Sequence, residues 1–71
     1  MGTQVSLRAV RVNANMTLQE ASNAIGVTDK TLGSWETGKT AIPAYMFNRL
    51  CEIYDIDIRL VKIPIVDDEV L

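Results

Sequence analysis

Seventy-one residues make one domain near the lower limit at which a core without metal or disulfide staples supports itself, so self-association is expected from size alone. One cysteine, Cys51, and no histidine exclude an internal disulfide, cysteine and histidine zinc sites and histidine-based acid and base chemistry, and they fit a reducing, cytoplasmic setting. Net charge is −2, but it is unevenly spread. Residues 1–50 carry five positive groups and three negative ones, a balance of +2, whereas residues 51–71 carry two against six, a balance of −4. That asymmetry suits a modestly basic face that attracts a polyanion, with an acidic far side. The apolar runs are far too short to span a membrane.

In residues 5–12, Leu7 and Val10 share a helical face with Ala14, which predicts a first helix. Arg8 and Arg11, three apart, read as its solvated face, with phosphate contact as the alternative. Asn13, Ala14 and Asn15 are turn material. Thr17 and Glu20 form a capping box that opens a second helix, in which Leu18, Ala21, Ser22 and Ile25 recur at helical spacing. Gly26 stops it in a left-handed conformation and Val27 packs back on the core. Thr28 caps the third helix, with Asp29 in the first turn where the helix dipole favours negative charge. Leu32 and Trp35 face inward; Asp29, Lys30, Gly33, Ser34 and Thr37 face outward. Gly33 costs about 1 kcal/mol relative to alanine in mid-helix. Gly38 ends that helix, and Lys39 with Thr40 projects from the following loop. Pro43 starts a fourth helix at its first position, and Met46, Phe47, Leu50, Cys51 and Tyr54 form its apolar stripe. On that stripe Cys51 is a buried small hydrophobe, and no base is available to make it a catalytic thiol.

Residues 17–38, with small Ser22, Gly26, Val27, Leu32, Trp35 and Glu36, followed by Gly38, Lys39, Thr40 and Pro43, resemble the helix-turn-helix of the Cro/C1-type, or XRE, family of phage and mobile-element repressors. The likeness runs from about residue 7 to residue 54. Ser22 stands where alanine is usual, and Leu18 where many members carry a glutamine that touches the DNA backbone. The resemblance implies an all-α, compact, four- to five-helix lambda-repressor-like DNA-binding domain. It further implies that Asp29, Lys30 and Ser34 face base edges, and that Thr17, Gln19, Thr28, Thr31, Lys39 and Thr40 lie toward the sugar-phosphate backbone. Ala21, Ser22, Ile25, Gly26, Val27, Leu32 and Trp35 would then be the structural core of the motif. Lys30 can donate to guanine O6 and N7, and Asp29 can accept from cytosine N4; Asp29 also serves as a first-turn dipole partner, and the two roles stay open. Gly33 either lets the helix approach a groove wall closely or is a neutral surface choice.

Residues 56–65 change character. Ile56, Ile58 and Leu60 alternate with Asp57 and Arg59, and Val61, Ile63 and Ile65 with Lys62 and Pro64, the period of an extended, β-like segment. No strand partner for it is visible elsewhere in the sequence, so it is expected either to cover the helices or to pair with its copy across a dimer, the second being favoured. Asp67, Asp68 and Glu69 read as a solubilising tail. The domain plan is therefore a DNA-binding unit at 1–55 and a C-terminal extended segment and acidic tail at 56–71, a candidate dimerisation element. The expectation is a cytoplasmic, homodimeric regulator of transcription that occupies a symmetric double-stranded DNA operator and acts by occupancy. It is not an enzyme, and no cofactor, metal, membrane or small-molecule substrate is expected. The competing reading is a protein-interaction module of the same fold: antitoxin-like, adaptor or antirepressor.

Overall fold

Every α-helix among the described residues ends the same way. The computed structural model describes residues 4–64, in the order β1 (Val5–Ser6), α1 (Leu7–Asn13), α2 (Leu18–Ile25), α3 (Asp29–Thr37), α4 (Ala44–Ile53), a 3-10 turn (Ile58–Leu60) and β2 (Val61–Lys62). Just past the four α-helices stand Asn15, Gly26, Gly38 and Asp55, all with φ between 57° and 80°. The N–H of the residue after each of them donates to a carbonyl five residues back: Met16 to Arg11, Val27 to Ser22, Lys39 to Ser34 and Ile56 to Cys51, at 2.9 to 3.2 Å. These left-handed closures satisfy carbonyls that a helix end leaves orphaned. Met16, Val27 and Ile56 then pack against the core, so three of the four closures also fold the chain back onto apolar surface.

The helix starts follow from side-chain caps. Ser6 accepts from the Ala9 N–H at 3.1 Å, so α1 begins at Leu7, and Val5, expected inside that helix, is extended. Thr17 and Glu20 close the capping box in both directions, at 2.9 and 3.0 Å. Thr28 accepts from the Thr31 N–H at 3.1 Å. Pro43 stands one residue earlier than expected, at the cap of α4, where its extended backbone offers its carbonyl to the N–H groups of Met46 and Phe47. The core gathers Leu7 and Val10 from α1, Ala21 and Ile25 from α2, Leu32 and Trp35 from α3, Phe47, Leu50 and Cys51 from α4, then Tyr54 and Val61.

The C-terminal segment differs from the long alternating strand that its sequence suggests. Asp57 accepts from the Arg59 N–H at 2.9 Å and from its guanidinium at 2.7 Å, which turns residues 58–60 into a 3-10 turn. The Arg59 hydrogen bonds hold the Asp57 carboxyl down at about 2. Ile58 and Leu60 are consequently exposed, and only Val61 and Lys62 are strand. Their partner lies in the same chain. Val5 pairs with Val61 and Ser6 with Lys62 in a parallel ladder, so one edge of β2 is filled by residues 55 or more positions away. Ile65 and the acidic residues Asp67, Asp68 and Glu69 lie outside the described residues.

Val61 is 1% exposed and Ile63 58%. Val61→Ala is therefore expected to lower the free energy of unfolding by about 2 kcal/mol, within the range for core truncations, and Ile63→Ala by less than about 0.5 kcal/mol. Urea titrations of the two variants check the difference, and equal losses would remove Val61 from the core.

Candidate nucleic-acid interface

α2 and α3 pack against each other across the Gly26 turn. Small residues at the crossing allow it. Ala21 is fully buried and Ser22 1% exposed, and the Ser22 hydroxyl is satisfied by the Gln19 carbonyl at 3.0 Å. Ile25, Leu32 and Trp35 are buried beside them and Val27 is half-buried.

The angle of α3 is fixed from its other end by an interaction that the sequence reading missed. Arg11, expected on a solvated face, is buried. Its Nε donates to Glu36 Oε2 at 2.8 Å, its second guanidinium nitrogen to Oε1 at 3.3 Å, and the third to the Met16 carbonyl at 2.9 Å. The side chains of Arg11 and Glu36 are 11% and 4% exposed. A signal for this existed, because Arg11 lies four residues after Leu7 and three before Ala14, on the stripe that the apolar residues of α1 define. The hydrogen bonds it donates to Glu36 raise the Arg11 pKa, against the opposing pull of burial. Arg8 is exposed, as expected.

Beside this pair the Tyr54 hydroxyl is buried without a hydrogen-bond partner among the described residues. Burial pushes its pKa up to about 12, aided by the negative charge of Glu36 and opposed by Arg11. Burial likewise raises the Cys51 thiol, which is 3% exposed. A buried, protonated thiol is a poor nucleophile.

The outward surface of the helix pair carries the residues singled out as DNA contacts. Asp29 and Lys30 are exposed on the first turn of α3, and neither has an ion-pair partner among the described residues. Ser34 lies one turn on and is half-buried. Thr17, Gln19, Thr28, Lys39 and Thr40 are exposed and Thr31 is half-buried. Several of these hydroxyls already have a structural task. Thr17 accepts from the Glu20 N–H, which leaves its own O–H free to donate. Thr28 donates to the Thr31 hydroxyl at 2.9 Å, so the O–H of Thr31 is the one left to face outward. The Thr37 hydroxyl turns back to the Gly33 carbonyl at 3.1 Å. The surface offers one cation on α3, one in the Lys39 loop, and a row of donors.

No group of three or more histidine, cysteine or acidic side chains among the described residues is arranged to hold a metal ion, and no described helix is long and apolar enough to cross a membrane.

Two short helices about a left-handed glycine, the second exposed along one face and braced at its end, define a helix-turn-helix DNA-binding domain. A family model of helix-turn-helix proteins matches residues 7–61, and the chain belongs to the Cro/C1-type, or XRE, helix-turn-helix family of DNA-binding regulators. No curated protein and no solved structure matches it.

Removing one partner of the Arg11 and Glu36 pair strands a buried charge, and Glu36→Gln is expected to cost about 3 to 5 kcal/mol, most of the stability of so small a domain. The double variant Arg11→Met with Glu36→Leu should recover most of that loss in urea titrations, and strictly additive losses would contradict a coupled pair. Tyr54 supplies a pH dependence. Its pKa is about 10 in the unfolded chain and about 12 in the fold, so the folded state keeps a proton that the unfolded state loses. Its contribution is complete below about pH 10 and declines as pH rises toward 12. Tyr54→Phe should leave stability near pH 7 within about 1 kcal/mol and flatten the decline above about pH 10. Denaturation of both proteins at about pH 8 and about pH 11 decides it: parallel declines would rule out Tyr54 as the source.

Proposed function

We propose that this protein represses transcription by occupying a two-fold symmetric operator as a homodimer, with the first turn of α3 in the major groove of each half-site. Lys30 and Ser34 then face base edges, Lys30 toward guanine, and Asp29 accepts from cytosine where the site offers one. Thr17, Gln19, Thr28, Thr31, Lys39 and Thr40 set register on the sugar-phosphate chain without reading sequence. Half-sites one turn of duplex apart, about 34 Å, follow from that geometry. The observation that carries this reading is the exposed Lys30, without an ion-pair partner among the described residues, on a helix held at both ends.

The small size of the domain and its limited positive charge support a second copy, since one domain with two cations on its contact surface gains little from counterion release. The net charge of −2 favours a second reading, a protein-interaction module of the same fold.

Selection of bound sequences from random duplex DNA, with sedimentation of the complex, separates the two. The expected consensus is two-fold symmetric, with two chains per duplex. Lys30→Ala should cost about 1 to 3 kcal/mol and relax preference at one position of each half-site. Lys39→Ala should weaken all sequences alike and lower the salt slope by about one per subunit. No enrichment, or binding indifferent to both substitutions, would favour the interaction module.

A further inference from the structure

Gly33 is not required by the fold. Its φ is not positive, so the backbone does not demand glycine there. Beyond the backbone of α3 and the two flanking residues, the one heavy atom of the described residues within 4 Å of where a Cβ would stand is Leu18 Cδ2, at 3.5 Å, an ordinary packing distance. Alanine would fit and would favour the helix, so the missing methyl leaves room for something outside the chain.

That room has a definite chemistry. Its near wall is a Leu18 methyl from the first turn of α2, and its floor is the Cα of Gly33. Both residues are half-buried, reachable from outside yet shielded on one side. One turn either way lie the polar Lys30 and Thr37, and the Thr37 hydroxyl covers the Gly33 carbonyl. The spot is therefore apolar within a polar surface. In the major groove the one apolar group that a base pair presents is the 5-methyl of thymine.

We propose that Gly33 and Leu18 form a notch that receives a thymine methyl group, making this glycine and this leucine determinants of sequence preference. The proposal rests on the reading that α3 enters the major groove. It assigns Leu18 a base-reading part, where the family resemblance supplies a glutamine on the backbone.

The test uses the duplex recovered by selection, with deoxyuridine replacing each thymine in turn, a change that removes one methyl group and nothing else. With the natural protein, one position in each half-site should lose affinity about fourfold, the worth of one buried methyl. Leu18→Gln should bind the thymine and uracil forms of that position equally. Gly33→Ala should melt about 4 °C higher, because the helix gains propensity, yet bind the thymine form more weakly. Gly33→Ala keeps the test decisive should Leu18→Gln fail to fold. Uracil without effect at every position, or a full methyl penalty persisting in Gly33→Ala, would overturn the notch while leaving groove binding intact. Failure of the natural protein to bind any duplex would remove the groove reading itself, and the notch with it.

Discussion

The orientation of α3 depends on one buried ion pair. Arg11 near the end of α1 reaches Glu36 near the end of α3, and its remaining nitrogen takes the carbonyl of Met16 at the turn into α2. A single side chain thus ties α1, the turn into α2 and α3. An ion pair of this kind adds little net stability over apolar packing of equal volume, because desolvation offsets the attraction. Its consequence is directional, since a bidentate guanidinium has one good geometry and apolar contacts have many. Trp35 belongs to the buried core of α3, and the pair sets the angle. The uncompensated neighbour is the Tyr54 hydroxyl, which enters the same buried region with no partner among the described residues.

Most of the fold was legible because local chemistry and global packing agree there. Thr17 with Glu20, Thr28, Gly26 and Gly38 each announce a helix end through a mechanism that operates within a few residues. The closure at Asp55 was harder to see, because only glycine advertises a left-handed position and aspartate takes one less often. Arg11 was misread for a different reason. Its place on the apolar stripe was visible, but its partner lies 25 residues away, and nothing local distinguishes a buried arginine with a carboxylate from an exposed one.

The C-terminal segment shows the limit of periodicity. Alternation in residues 56–65 is real, yet Asp57 interrupts it by capping its own turn, so the apolar side chains of Ile58 and Leu60 are exposed, while Ile56 packs against the core and Val61 is buried in it. The partner strand, Val5 and Ser6, was hidden inside what reads as the first turn of a helix, because two residues are too few to show a period of two. Parallel pairing between the two ends of the domain is a tertiary fact. Of the contact surface, the exposure of Asp29 and Lys30 was legible from spacing, whereas the apolar spot at Gly33 needed the position of Leu18 across the helix crossing.

Charge placement bears on how such a surface can select a site. After α4 the described residues carry Asp55 and Asp57 balanced by Arg59 and Lys62, all exposed, with Asp57 and Arg59 paired, whereas Lys30 and Lys39 lie on α3 and the loop that follows it. On the surface of the helix pair a polyanion is attracted at Lys30 and Lys39. The attraction is small, because each phosphate neutralised by a lysine contributes only through the counterion it releases, and this surface has few. Weak non-specific binding has a benefit. Discrimination depends on the gap between specific and non-specific affinity, and a domain that gains little from phosphates takes a larger share of its free energy from groups that read bases. In the proposed dimer each such contact counts twice on one duplex while the non-specific term stays low, so two weak, well-oriented probes separate one site from many better than a single basic one would.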